Sequence, residues 1–135
     1  MAKIVLTDAK VTINSVNLSD HIASVTIDEK TDVVETTAFS NSAKTRVAGL
    51  QDHNVTFEFH QDFAATNVEA TIYPLLGQAT TCVVVPTSSS VTTTNPSYTF
   101  SAVVAEWQPL KGGIGQLATA SVTWPISGSI TKATS

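Results

Sequence analysis

Asn54-Val-Thr-Phe-Glu-Phe-His60 is the stretch whose reading decides the fold class. Val55, Phe57 and Phe59 fall on odd positions and Asn54, Thr56, Glu58 and His60 on even ones, the period of two imposed by a half-buried β-strand. One face packs, and the other meets water or a partner. Downstream, Thr66-Asn-Val-Glu69 has the form of a capping box, which predicts Thr66 as a helix N-cap and Glu69 as its reciprocal partner. Val68, Ile72 and Leu75 or Leu76 then make an apolar stripe before Pro74 weakens the helix and Gly77 ends it. No other segment reads credibly as a helix, so a single helix covers a sheet.

Outward from this centre the period of two recurs. Residues 11–14 predict a short strand, followed by a tight turn at Asn14-Ser-Val-Asn17. Ala23, Val25 and Ile27 alternate with Ser24, Thr26 and Asp28, and residues 33–39 are rich in β-branched side chains, which together predict a long hairpin bent at residues 29–32. Residues 40–47 show neither period and predict an extended loop with Lys44 and Arg46 near its tip. Residues 80–86 are almost continuously apolar, the pattern of a strand buried on both faces. A Ser/Thr-rich loop over residues 87–96 leads to Tyr98, Phe100, Ala102 and Val104 on one strand face.

Gln108-Pro-Leu-Lys-Gly-Gly-Ile-Gly115 then breaks the chain before the longest alternation. There Ala118, Ala120, Val122, Trp124, Ile126 and Ile130 oppose a hydroxyl face of Thr119, Ser121, Thr123, Ser127 and Ser129. At about 3.3 Å per residue this strand reaches roughly 40 Å, which suits a barrel or a sheet shared between subunits better than a small lone sheet.

The 135 residues fit one domain with a core over about residues 10–130, large enough to need neither disulfide nor metal. Charged residues make up 13%, about half the usual share, with Ser and Thr in their place. Two explanations stand: a surface covered by other subunits, or a Thr-rich β domain on its own. A formal net charge of -4 with few, scattered basic residues argues against a nucleic-acid-binding groove. Cys82, within Cys-Val-Val-Val85, reads as a buried small hydrophobe. The initial apolar run is too short for a signal peptide and no run approaches the roughly 20 residues of a membrane span, so the expectation is a protein kept in the cytoplasm without membrane contact.

Catalytic and metal-binding motifs are weak. His53 and His60 point to opposite faces by parity and cannot share a metal; with His21 they read as structural or exposed. Glu58 and His60 share a face but lack a nucleophile motif, and Gly112-Gly-Ile-Gly115 lacks the Lys-Ser/Thr and helix of a phosphate loop. The carboxylates of Asp28, Glu29, Asp32 and Glu35 do not have calcium-loop spacing. Trp107 and Trp124 suggest a sugar-stacking platform only if both are exposed, and the parity of Trp124 places it in the core. No enzyme activity and no cofactor are expected.

Several segments, taken in order, are similar to the major tail tube proteins of long-tailed, non-contractile bacteriophages of siphovirus type. They are Val11-Thr-Ile-Asn-Ser-Val-Asn-Leu-Ser-Asp-His21, Thr36-Thr-Ala38, Thr45-Arg-Val-Ala-Gly-Leu-Gln-Asp52, Val55-Thr-Phe-Glu-Phe-His-Gln-Asp-Phe63, Ala70-Thr-Ile-Tyr-Pro-Leu-Leu76, Asn95-Pro-Ser-Tyr98 and Leu117-Ala-Thr-Ala-Ser-Val-Thr-Trp-Pro125. The resemblance implies a mainly β fold, a sandwich or barrel with one short flanking helix and a long inter-ring loop, over a single domain, residues 1–135, with no C-terminal immunoglobulin-like domain. It implies a structural virion protein that self-assembles as stacked hexameric rings, with the tape measure protein and transiting double-stranded DNA in the lumen and other tail proteins at the tube ends.

On this resemblance Lys44 and Arg46 are inter-ring candidates, and Glu35, Glu58, Thr119, Ser121 and Thr123 are candidates for a lumen wall that lets DNA slide. Alternatives are a ring-forming tail terminator, a secretion-system tube protein, or a small carbohydrate-binding β domain.

Overall fold

In the computed structural model, which describes residues 3–135, the strand at the centre of the sequence is also central in space. The elements in chain order are β1 (Lys10–Ile13), β2 (Val16–Asn17), β3 (Ile22–Asp28), β4 (Thr31–Glu35), β5 (Arg46–Gln51), β6 (Asn54–His60), α1 (Val68–Ile72), β7 (Ala79–Val85), β8 (Ser97–Val103) and β9 (Thr119–Ala133). Seven strands form one antiparallel sheet in the order β2-β1-β7-β8-β9-β6-β3, and β4 and β5 pair only with each other. The fold is mainly β: a sheet curled into a half-barrel with one short helix.

Parity explains the packing. Between its neighbours, β6 sets Val55 opposite Ile27 and Trp124, and Phe57 opposite Val25 and Val122. Val55, Phe57, Phe59 and Trp124 are wholly buried, and Phe57 and Trp124 meet edge to face with ring centres 5.5 Å apart. Val11, Ile13, Cys82, Phe100, Ala102 and Val104 extend the core across the other strands, and Val68 and Ile72 of α1 complete it.

The strand β9 joins the two halves of the sheet. Its residues 119–125 pair with β6 and residues 126–133 with β8, with a register slip between Thr99 and Ser101. Opposite that slip Gly128 adopts φ +88, a conformation glycine reaches without strain, and the ladder bends there. Where β8 diverges, Glu106 and Gln108 replace it with side chains. The amides of Thr123 and Ser121 donate to Glu106 Oε1 (2.7 Å) and Gln108 Oε1 (3.3 Å). Trp124 Nε1 donates to the Glu106 carbonyl at 2.8 Å, which satisfies the polar handle of a wholly buried indole.

Four local expectations are corrected. Thr66 does not cap the helix: it sits at φ +65, Asn67 takes the N-cap position, and neither makes a side-chain cap bond. The Glu69 amide donates instead to the Asp62 carbonyl (3.0 Å), while the Glu69 carboxylate accepts from Gln61 Nε2 (3.1 Å) and Trp107 Nε1 (2.8 Å), so tertiary partners displace the capping box. The strands at residues 22–28 and 31–35 do not form a hairpin together, because β3 pairs with β6 and β4 with β5. The strand β7 is buried on both faces only at its end: Thr81 is exposed and Val83 half-buried, whereas Val85 on that same face is buried beside Val84. Arg46 is not at a loop tip but opens β5, and only Lys44 lies in the connecting loop.

Candidate assembly surfaces

The hairpin β4–β5 is an arm that leaves the body altogether. Every residue from 28 to 52 is exposed. Among the described residues the arm is clamped only at its base, where the Asp52 amide donates to the Lys30 carbonyl (2.8 Å) and the Lys30 amide to Nδ1 of His53 (3.1 Å). His53 is buried, and its Nε2 faces Gln51 Oε1 at 3.1 Å, so the accepting Nδ1 puts the ring proton on Nε2. At the far end the Thr36 amide donates to the Thr45 carbonyl (2.8 Å), and the Ala38 amide donates to Asn41 Oδ1 (2.6 Å).

Both faces of the arm carry apolar groups. Pairing sets Val33 opposite Ala48 and Val34 opposite Val47, and Val33, Val34, Val47, Leu50 and Phe39 are all exposed, Phe39 completely. Gly49 keeps the two strands close: a Cβ there would lie 3.2 Å from Val34 Cγ2. An isolated two-stranded hairpin is marginally stable in water, so this arm has the physics of a segment that gains its cover from another molecule. Glu35 and Arg46 are cross-strand partners, and Lys44 Nζ lies 3.9 Å from Glu35 Oε1, an exposed ion pair of little energetic weight.

The outward face of the sheet is a hydroxyl surface. Ser24 and Thr26 on β3, Thr56, Glu58 and His60 on β6, and Thr119, Ser121 and Thr123 on β9 stand together through the pairs Ser24 with Glu58, Glu58 with Ser121, and His60 with Thr119. Thr56 Oγ1 and Thr123 Oγ1 are 3.1 Å apart, and Thr81, Thr99 and Ser101 continue the surface on β7 and β8. The structure thus brings together Glu58, Thr119, Ser121 and Thr123 from the sequence-derived set. Glu35 is elsewhere, on the arm. The companions Ser24, Thr26 and Thr56 were missed, although strand parity alone marks them as outward.

A third cluster joins distant segments. His21 follows β2, yet its Nε2 lies 2.8 Å from Asp62 Oδ2 beyond β6, while its Nδ1 lies 2.8 Å from Asp20 Oδ1. Burial works to lower the His21 pKa, but the hydrogen bonds to Asp62 and Asp20 outweigh it and raise it above the usual 6.5. Asp62 is held below its usual value first by the Ala64 amide and then by His21. Neither tryptophan offers a flat sugar-binding platform: Trp124 is core, and Trp107 packs edge to face on Phe59 with its Nε1 engaged by Glu69. Among the described residues no three His, Cys, Asp or Glu side chains converge as metal ligands.

No family model matches the chain, and no curated protein matches it. Solved structures do. A chain in the virion of a native gene transfer agent particle aligns with a TM-score of 0.72 at 10% identity, over 93% of this chain and 95% of that one. The fold is shared with a virion component. A chain in the tail of the empty gene transfer agent particle, refined with C6 symmetry, aligns at 0.57 with 12% identity over 82% and 81%. A chain in the 6-fold symmetrised baseplate of the anti-feeding prophage aligns at 0.58 with 11% identity over 98% and 97%. At these identities the likeness is one of fold.

Proposed function

We propose that this protein is a structural subunit of a phage-type tail tube, one that forms hexameric rings which stack around a channel for double-stranded DNA and the tape measure protein. The observation that carries the proposal is the arm: 25 consecutive exposed residues, apolar on both faces, on a domain whose own core is complete. Such a segment is explained by a neighbour that covers it. The shared fold with chains of virion, tail and baseplate assemblies, two of them described with six-fold symmetry, supports the same reading.

In this reading the arm spans to the next ring, with Lys44 and Arg46 at its outer part, and the hydroxyl face lines the channel. Hydroxyls with Glu58, and a single imidazole, His60, in place of clustered Lys and Arg, give phosphates little to hold, so DNA slides rather than sticks. Glu35, on the arm, belongs to the contact between rings instead. A second reading, a ring at a tube end or a contractile-system tube, is favoured by the likeness to the baseplate chain. Negative-stain electron microscopy of the tag-free protein at rising concentration separates a tube, of either system, from a ring at a tube end. Hollow tubes of uniform width support the tube, single rings support the terminal component, and monomers at every concentration oppose both.

A further inference from the structure

The two ends of the seven-stranded sheet are finished differently. At the β1 end the backbone is satisfied within the chain: the Val11 amide donates to Ser19 Oγ (2.9 Å), its carbonyl accepts from the Leu18 amide (3.1 Å), and Thr12 pairs with Asn17 of the two-residue β2. At the other end β3 bonds β6 along one side; the Ile22 amide donates to the Ser19 carbonyl, and beyond Ile22, among the described residues, no backbone or side-chain hydrogen bond reaches the outer side. Its sequence Ile22-Ala-Ser-Val-Thr-Ile-Asp28 has no Pro or Lys to discourage pairing, and one register slip beside Ile22 is its sole irregularity. An open edge of this kind is a template for a further strand.

Beside that edge lies a cleft of about 260 Å³, with Leu6, Thr7 and Ala9 on one wall and Ala23, Ser24 and Val25 on the other. The chain's own N-terminal segment therefore runs along the cleft without filling it. Asp8 ties that segment to Ser88, just beyond β7, and β1 begins two residues later, so its course is held to the β1–β7 wall. Ahead of this anchor, Ile4-Val-Leu-Thr7 has strand composition but is not in a strand, and Ile4, Val5 and Leu6 are 58%, 81% and 59% exposed.

We propose that residues 3–7 form an assembly strand that docks on the open β3 edge of a second copy of this chain. The proposal rests on the reading that copies associate, and names the segment and edge through which they do so. Five residues extend to roughly 17 Å, within the reach of the seven-residue β3. A donor strand would hydrogen-bond the unpaired backbone and bury aliphatic side chains toward the cleft.

The test compares unassembled with assembled wild-type protein by amide hydrogen exchange. Slowing by about tenfold or more at both residues 3–7 and residues 22–28 is expected. Next, Val5→Cys and Ser24→Cys proteins are mixed, assembled and mildly oxidised. A disulfide between unlike chains supports the strand exchange, since neither chain carries both introduced thiols. A third protein lacking residues 1–7 should keep the wild-type melting curve and fail to assemble. Tubes in which β3 exchange is unchanged, or normal tubes from the truncated protein, overturn the assembly strand while leaving the tail-tube reading intact. Wild-type protein that never associates overturns both.

Discussion

The half-barrel and the arm are made from the same kinds of residue and obey opposite rules. In the body, alternation sorts Val, Phe and Trp inward and Thr, Ser and Glu outward, so each strand has a dry and a wet side. In the arm, Val33 and Val34 are neighbours and Val47 is followed by Ala48 and Leu50, so both sides carry aliphatic groups and neither is covered. Sorting lets a sheet fold alone. Its absence from the hairpin is what the proposed contact between copies would explain.

The contrast can be broken most forcefully in the body. Trp124→Ala removes a wholly buried side chain that touches Phe57 and Phe59, and should cost about 3–5 kcal/mol in chemical denaturation. A loss below about 1 kcal/mol would mean that the core does not organise the domain. A smaller gain is expected from Thr80→Val, because Thr80 Oγ1 is buried without a hydrogen-bond partner among the described residues; a rise of about 1 kcal/mol in the same assay would bear this out.

The His21–Asp62 contact is worth less and depends on pH. Since His21 titrates above 6.5 in the folded protein, its contribution is complete below 6.5 and fades as pH rises through the higher folded value. Asp62 titrates below 3.8, so its contribution is present above 3.8 and fades as pH falls through the lower folded value. The difference in melting temperature between wild type and His21→Ala should therefore be greatest between about pH 4 and 6.5 and shrink on both sides. A difference independent of pH would reduce the contact to packing.

The smallest effect on stability should come from the arm. Paired substitution of Lys44 and Arg46 by Glu should leave unfolding within about 0.5 kcal/mol of wild type while shortening or abolishing tubes in electron micrographs. Wild-type tube lengths with unchanged salt sensitivity would remove these two residues from the interface.

The sequence made the body legible where burial is one-sided. The bounds of β6, the hydroxyl parity of β9 and the burial of Trp124 follow from alternation, because a pleated strand reports its environment every second residue. Pairing was less accessible. Residues 22–28 and 31–35 are adjacent and both strand-like, yet β3 pairs with β6 across the whole arm; alternation says which side is wet but not which strand lies alongside. The same limit separated Glu35 from Glu58: both lie in β-rich segments, and only tertiary structure shows that one is on the arm and the other on the body. The helix position was readable from Val68 and Ile72, whereas its cap was not, because Asp62, Gln61 and Trp107 are partners that a four-residue motif cannot see.

The burial of Cys82 has a practical consequence for studying assembly. With the thiol pKa pushed up to about 12 by its apolar surroundings, on the order of one molecule in 10⁵ carries the reactive thiolate at pH 7. The native chain is therefore chemically silent toward thiol reagents while folded. A fluorophore or spin label attached through a cysteine introduced on the arm, the hydroxyl face or residues 3–7 would report from that position alone, with the wild-type core left untouched.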